Sequence, residues 1–159
     1  MFRLFSRKKM VDFASPVLGN AIPLAVVPDQ VFATKMVGDG MAFEPAEGII
    51  YCPVNGTVNS VFPTKHAIGI TTPEGLKVII HIGIDTVNLK GEGFESLVHR
   101  NQTVKKGAKL LVFDIELLRA NAKSVIIPMI ITNTGRIDSM VFNYGEADLN
   151  TTVMTVKLN

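Results

Sequence analysis

Along residues 77–85 apolar positions recur at a period of two. The pattern predicts a strand. Val78, Ile80, Ile82 and Ile84 fall on one face of it, and Lys77, Ile79, His81, Gly83 and Asp85 on the other. The first set is a plain core face. The second carries a histidine and an aspartate with a glycine between them, and a glycine there leaves a gap beside the imidazole for a partner group. A buried histidine satisfied by a neighbour is the plainer reading of a lone imidazole in an apolar strand. A second histidine upstream weighs against it.

The rest of the chain repeats this β signal. Runs rich in Val, Ile, Thr and Phe are bounded by Gly, Pro, Asn and Asp, the composition of strands and their turns. Candidate strands are residues 12–14, 21–26, 41–44, 49–51, 56–62, 67–71, 77–84, 103–104, 109–114, 124–131, 136–141 and 153–157. Short strands at regular spacing predict an all-β fold, an antiparallel β-sandwich or barrel-like single domain. One or two helical turns are expected. Residues 115–121 fit one, capped by Asp114 with Leu117 and Leu118 packing inward. Residues 31–37 fit another. No linker, low-complexity tract or repeat interrupts the chain, so residues 12–159 are expected to form one domain behind a flexible basic segment, residues 1–11.

Composition narrows the class. A chain of 159 residues, 47% hydrophobic, is long enough for a core and too apolar to be disordered. No apolar run reaches the roughly 18 residues of a membrane span, and no long apolar stretch follows the basic N-terminus as in a secretory signal. The single Cys52 has no disulfide partner within the chain, which fits a reducing cytoplasm. It reads as a small buried hydrophobe. Sixteen Lys and Arg stand against 14 Asp and Glu. Arg3, Arg7, Lys8 and Lys9 account for four of those cations, so the remainder carries 12 against 14 and is mildly acidic. That argues against a nucleic-acid-binding surface and suits a basic protein partner. Residues 1–9 set Phe2, Leu4 and Phe5 among the cations. They read either as a frayed terminus or as a weak contact with the inner membrane surface.

The second histidine, His66, lies in Thr64-Lys-His-Ala-Ile. The two histidine segments are joined by Thr71-Thr-Pro-Glu-Gly75, turn chemistry that predicts an antiparallel hairpin. A two-residue loop centred between Pro73 and Glu74 would set His66 and His81 side by side. A bulge at Gly75 would slip the register by one and part their faces. Two adjacent imidazoles can bind metal, relay protons or handle a phosphoryl group. Metal binding takes three or four ligands, and only Cys52 and His99 are spare, at no recognisable spacing. Phosphoryl handling needs no metal: one imidazole attacks phosphorus, the other donates a hydrogen bond to a phosphoryl oxygen, and a hydroxyl such as that of Thr64 fixes a tautomer.

His81-Ile-Gly-Ile-Asp-Thr-Val, followed by Leu89-Lys-Gly-Glu-Gly-Phe-Glu, resembles the signature of the glucose-type enzyme IIA components of the bacterial phosphoenolpyruvate-dependent sugar phosphotransferase system. The resemblance extends through Pro28-Asp-Gln-Val-Phe-Ala-Thr-Lys-Met-Val-Gly-Asp-Gly40, residues 46–56, Thr64-Lys-His-Ala and Lys123-Ser-Val-Ile-Ile-Pro-Met. It implies a phosphocarrier on a β-sandwich, with no cofactor and no metal. His81 would be phosphorylated on Nε2 by HPr, and the group would pass to a cysteine of an enzyme IIB domain of a sugar permease. His66 would steady the phosphoryl group and Thr64 would hold His66. An apolar rim of Val31, Phe32, Met36, Val37, Phe62, Ile79 and Val87 would surround the site, with Asp29 and Asp85 facing HPr. The chain departs from the family's commoner aromatic rim at Ile68, Ile79 and Ile82, which bears on partner preference.

Two other readings compete with this one. A lysostaphin-type zinc hydrolase needs a His-x-His pair, and the position two after His81 is Gly83. A biotinyl or lipoyl carrier is suggested by Val104-Lys-Lys-Gly-Ala-Lys-Leu, but the Met-Lys-Met turn of such modules is absent. The Gly-x-Gly pairs at Gly38 and Gly40 and at Gly91 and Gly93 open no helix after a strand, so they read as turns needing positive φ. His99 reads as a surface loop residue.

Overall fold

The computed structural model describes residues 9–159. Residues 1–8, and with them nearly all of the segment expected to touch a membrane surface, lie outside the described residues. The described chain forms β1 (Met10–Ala14), β2 (Gly19–Pro23), a 3-10 turn (Leu24–Val26), α1 (Gln30–Ala33), β3 (Asp39–Pro45), β4 (Ile49–Tyr51), β5 (Gly56–Val61), β6 (Ala67–Thr71) and β7 (Lys77–His81). There follow a 3-10 turn (Thr86–Leu89), β8 (Phe94–Ser96), β9 (Thr103–Val104), β10 (Lys109–Phe113), α2 (Ile115–Asn121), β11 (Ile127–Ile131), a 3-10 turn (Thr134–Arg136), β12 (Ile137–Phe142), β13 (Gly145–Ala147) and β14 (Thr152–Leu158). No helix among the described residues is long and apolar enough to cross a membrane.

Pairing is antiparallel throughout. Eight strands form one sheet in the order β13-β2-β3-β11-β7-β6-β5-β9, and two three-stranded sheets run β1-β14-β12 and β4-β10-β8. The main core lies between them. Met41 and Phe43 of β3, Ile68 and Ile70 of β6, Val78 and Ile80 of β7, and Met129 and Ile131 of β11 meet Phe13, Leu110, Leu111, Met154 and Val156 there. Within β3, β6, β7, β11 and β14 these are alternate residues, as a strand with one face in the core requires; Leu110 and Leu111 are consecutive, at a register shift in β10.

The opposite face of the large sheet is also covered at its centre. Ala42, Ile130 and Ile79 turn that way and pack with Leu24, Val27, Phe32 and Ile84 in a second, smaller cluster. The segment from residue 24 to 33 therefore lies across the outer face of β3, β11 and β7. That explains why β11 is buried at every position.

Several boundaries differ from the sequence expectation, each for a local reason. Met10 and Val11, assigned to the flexible basic segment, pair with Lys157 and Val156. The expected strand 21–26 stops at Pro23 and becomes a 3-10 turn. The strand expected over 77–84 ends at His81. Met129 pairs with Ile80, so in the continued register Pro128, which has no N–H to donate, falls opposite His81. Gly83 (φ 77°) and Asp85 (φ 61°) then take left-handed conformations. The alternation breaks, and Ile84 joins the second cluster instead of the main core. β8 and β13, three residues each, were not expected. Asp114 does cap α2, its carboxylate accepting from the Leu117 N–H at 3.0 Å. Leu118 is buried there and Leu117 half-buried.

Candidate active site

The hairpin takes the slipped register. Ala67, not His66, pairs with His81, and Thr71 pairs with Lys77. The loop spans residues 72–76, with Gly75 at φ 94°, and is closed by the Thr72 N–H donating to the Leu76 carbonyl at 2.9 Å. By strand alternation this register would turn the two imidazoles to opposite faces. The rings nevertheless meet, with centroids 5.0 Å apart and planes 75° from parallel. Both histidines sit where regular strand stops. His66 precedes the first residue of β6, behind Lys65 in a left-handed conformation (φ 60°), and His81 is the last residue of β7. The Ile82 N–H still donates to the His66 carbonyl at 2.7 Å. Irregular backbone at two strand ends, rather than strand pairing, brings the rings together.

Each imidazole has a fixed Nδ1 partner. His81 Nδ1 lies 2.7 Å from the Gly83 carbonyl oxygen. A carbonyl only accepts, so Nδ1 carries the proton and Nε2 of the neutral ring keeps its lone pair. His66 Nδ1 is hydrogen-bonded to the Thr64 hydroxyl. The expected gap beside the imidazole at Gly83 is filled. A Cβ there would lie 2.6 Å from the Thr86 methyl carbon and 2.9 Å from the Ser124 carbonyl oxygen. Gly83 serves its own backbone conformation and the carbonyl it offers.

Burial sets the protonation of the pair. His66 is 7% exposed, and desolvation, followed by the neighbouring His81, lowers its pKa below 6.5. His81 is also lowered, chiefly by desolvation. Its hydrogen bond to Gly83 and the charges of Asp29 and Asp85 oppose that shift without overcoming it. Both rings are therefore neutral at pH 7.

Aromatic rings extend the pair at both ends. Phe32 lies 5.1 Å from His81 and Phe62 lies 5.4 Å from His66. The structure distinguishes among the expected rim residues. Val31, Met36, Val37 and Val87 are exposed, Met36 by 73%. Phe62 and Ile79 are half-buried. Phe32 is buried and belongs to the second cluster, so it forms a wall of the site rather than an exposed rim. Val26 is 58% exposed on the neighbouring 3-10 turn and was missed because its segment reads as a strand. Asp85 is exposed, at the left-handed position before the Thr86–Leu89 turn. Asp29 has a local role that the sequence reading did not assign: its carboxylate caps α1 by accepting from the Val31 N–H at 2.8 Å.

The remaining candidates fall away from this site. Cys52 is buried, its thiol pushed up to about 11 by burial, with Sγ donating to the Val54 carbonyl at 2.9 Å. His99 is exposed. Gly38, Gly91 and Gly93 do take positive φ. Gly40 does not: it lies inside β3, where a Cβ would come within 2.0 Å of the Met129 carbonyl oxygen. Among the described residues no group of three or more His, Cys, Asp or Glu is placed to hold a metal ion. The donor set of the zinc-hydrolase reading is not assembled.

Residues 11–137 match the family model described as phosphoenolpyruvate-dependent sugar phosphotransferase system, EIIA 1. Among solved structures the fold is similar to that of glucose permease IIA from Mycoplasma capricolum, with 36% sequence identity and a TM-score of 0.89. That match covers 98% of this chain and 99% of the other.

Proposed function

Since this chain belongs to the glucose-type enzyme IIA family of the phosphoenolpyruvate-dependent sugar phosphotransferase system, we propose that it accepts a phosphoryl group from phosphorylated HPr on His81 Nε2. It then passes the group to a cysteine of an enzyme IIB domain. The observation that carries this reading is the Gly83 carbonyl 2.7 Å from His81 Nδ1, which leaves Nε2 as the nucleophilic nitrogen of a neutral ring. In the first step the Nε2 lone pair forms a bond to phosphorus while the donor's P–N bond breaks and its electron pair returns to the donor imidazole. In the second, a thiolate attacks phosphorus and the P–Nε2 bond breaks, restoring the neutral ring. Little bond rearrangement is asked of the protein, so positioning and charge stabilisation supply most of the rate.

His66 is suited to stabilise the phosphoryl oxygens. With the Thr64 hydroxyl donating to its Nδ1, its Nε2–H becomes a donor beside the acceptor ring. The exposed Val31, Met36, Val37 and Val87 suit a docking surface for HPr and enzyme IIB, and Asp29 and Asp85 suit the basic side of such a partner. The site of action is the cytoplasm, where these partners reside. Residues 1–9 suit a weak contact with the inner face of the membrane by charge and apolar content alone. Incubation with phosphoenolpyruvate, enzyme I and HPr tests the reading. One acid-labile phosphate per chain is expected for the native protein and none for His81→Ala; normal labelling of that variant would refute the assignment.

A further inference from the structure

Resting on the reading of His81 as the acceptor, we propose that Thr86 is a positioning residue for phosphoryl transfer. Its hydroxyl fixes the Ile82–Gly83 backbone that sets both the tautomer of His81 and its approach to His66. Among the described residues Thr86 is a polar residue buried to 0% exposure. Its Oγ1 donates to the Ile82 carbonyl at 2.6 Å, and its methyl fills the space where a Cβ of Gly83 would lie.

Ile82 is the hub of the arrangement. Its N–H donates to the His66 carbonyl at 2.7 Å, and its own carbonyl is held by Thr86. The next residue, Gly83, supplies the oxygen that accepts from His81 Nδ1. Three consecutive residues thus carry the nucleophile, the tie to the second histidine and the tautomer-setting carbonyl. On the far side the segment is anchored by Ile84, whose N–H donates to the Ser124 carbonyl at 2.9 Å. Left-handed conformations at Gly83 and Asp85 take the stretch out of the regular ladder, and beyond His81 it keeps the Ile82 tie to His66 and an isolated antiparallel bridge between Ile84 and Ser124. The Thr86 hydroxyl adds a restraint between these two ties, at the Ile82 carbonyl next to Gly83. An unrestrained neutral imidazole divides its proton between the two nitrogens, and a fixed carbonyl at Nδ1 removes that division. Loss of the restraint lowers the fraction of His81 with a free Nε2 lone pair and loosens its aim at phosphorus.

Thr86→Val keeps the shape and removes the donor, whereas Thr86→Ser keeps the donor and removes the methyl. Three readouts separate positioning from mere filling: the His81 tautomer from ¹⁵N–¹H correlations of the unphosphorylated protein, kcat and KM for phosphorylation by HPr, and thermal unfolding. Thr86→Val is expected to show a mixed His81 tautomer and a fall in kcat on the order of 10- to 100-fold, with KM for HPr within about twofold, since Thr86 is buried beneath the docking surface. Thr86→Ser is expected to recover the tautomer and most of kcat. Should Thr86→Val not fold, Thr86→Ala carries the same comparison. A native tautomer and native kcat in the donor-less variant would overturn the proposal, as would equal losses in Val and Ser variants that track stability alone. If native protein takes no phosphate at His81, the reading of the site fails, and the tautomer measurement still decides what Thr86 does.

Discussion

A neutral imidazole has one nitrogen bearing a proton and one bearing a lone pair, and for His81 the Gly83 carbonyl decides which is which. That division of labour makes the two histidines unequal although their rings touch. His66, held by the Thr64 hydroxyl, is placed to donate. Replacing it with Gln keeps a hydrogen-bond donor but changes its reach. His66→Gln is expected to accept phosphate from HPr at a reduced rate and to pass it on about 100-fold more slowly, the scale of losing one well-placed donor to a charged transition state. Single-turnover transfer to enzyme IIB measures this, and native onward transfer would remove His66 from its role. The lowered pKa of His81 adds a pH signature. Only the neutral ring is a nucleophile, so its acceptance rate is expected to stay level from pH 8 to about 6.5 and to fall only below that, as the depressed pKa is approached. Rapid-quench assays across pH, with HPr held in excess, would show it.

The α1 segment and the β6–β7 hairpin together define the site. Asp29 caps a helix of four residues that presents Val31 outward and Phe32 inward against His81. Substitutions on the exposed side of this segment, which includes Met36 and Val37, should separate binding from chemistry. Val37→Asp or Met36→Asp is expected to raise KM for HPr about tenfold with kcat nearly unchanged, the size of a modest docking contact; a fall in kcat with KM intact would show that the rim acts on the chemistry. The hairpin shows where sequence reasoning reaches its limit. The apolar alternation of residues 77–81 and the Pro-Glu-Gly turn were legible, and so were both histidines and Thr64 as candidates that the structure brings together. The register was not. One extra loop residue shifts His81 to Ala67, and a strand-based argument would then separate the rings. What reunites them is left-handed backbone at Lys65 and Gly83, together with Pro128 ending the ladder opposite His81. Those features depend on tertiary neighbours that local pattern does not encode. Thr86 was likewise invisible as a contributor, since a threonine after an aspartate reads as an ordinary turn residue.

At the scale of the whole molecule, the large sheet is buried on both faces at its centre, and the site occupies the edge of the smaller apolar layer. The β class, the sandwich and most strand positions follow from period-two patterning and turn residues. The second layer does not, because residues 24–33 read as strand and isolated helical turn rather than as a cover. Ile80, the residue before His81, sits in the main core. Ile80→Ala is expected to cost about 2–5 kcal/mol in denaturant titration, while the His81 tautomer survives in the fraction that remains folded. Both histidines also make stability depend on pH. Their pKa values are lower in the folded chain than in the unfolded one, so the unfolded state binds more protons as pH drops below about 6.5. Their contribution is therefore fully present above that value and is lost as pH falls through it toward the folded pKa values. A double His66→Gln, His81→Gln variant is expected to lose less stability than the native protein between pH 6.5 and 5. Equal losses would mean that the pair is not desolvated. The measurement that bears most directly on the central claim is the position of the phosphoryl group itself. Phosphorus–nitrogen NMR of ¹⁵N-histidine-labelled protein, phosphorylated through HPr, is expected to place it on His81 Nε2, and a phosphate on His81 Nδ1, on His66 or on any other side chain would contradict the account.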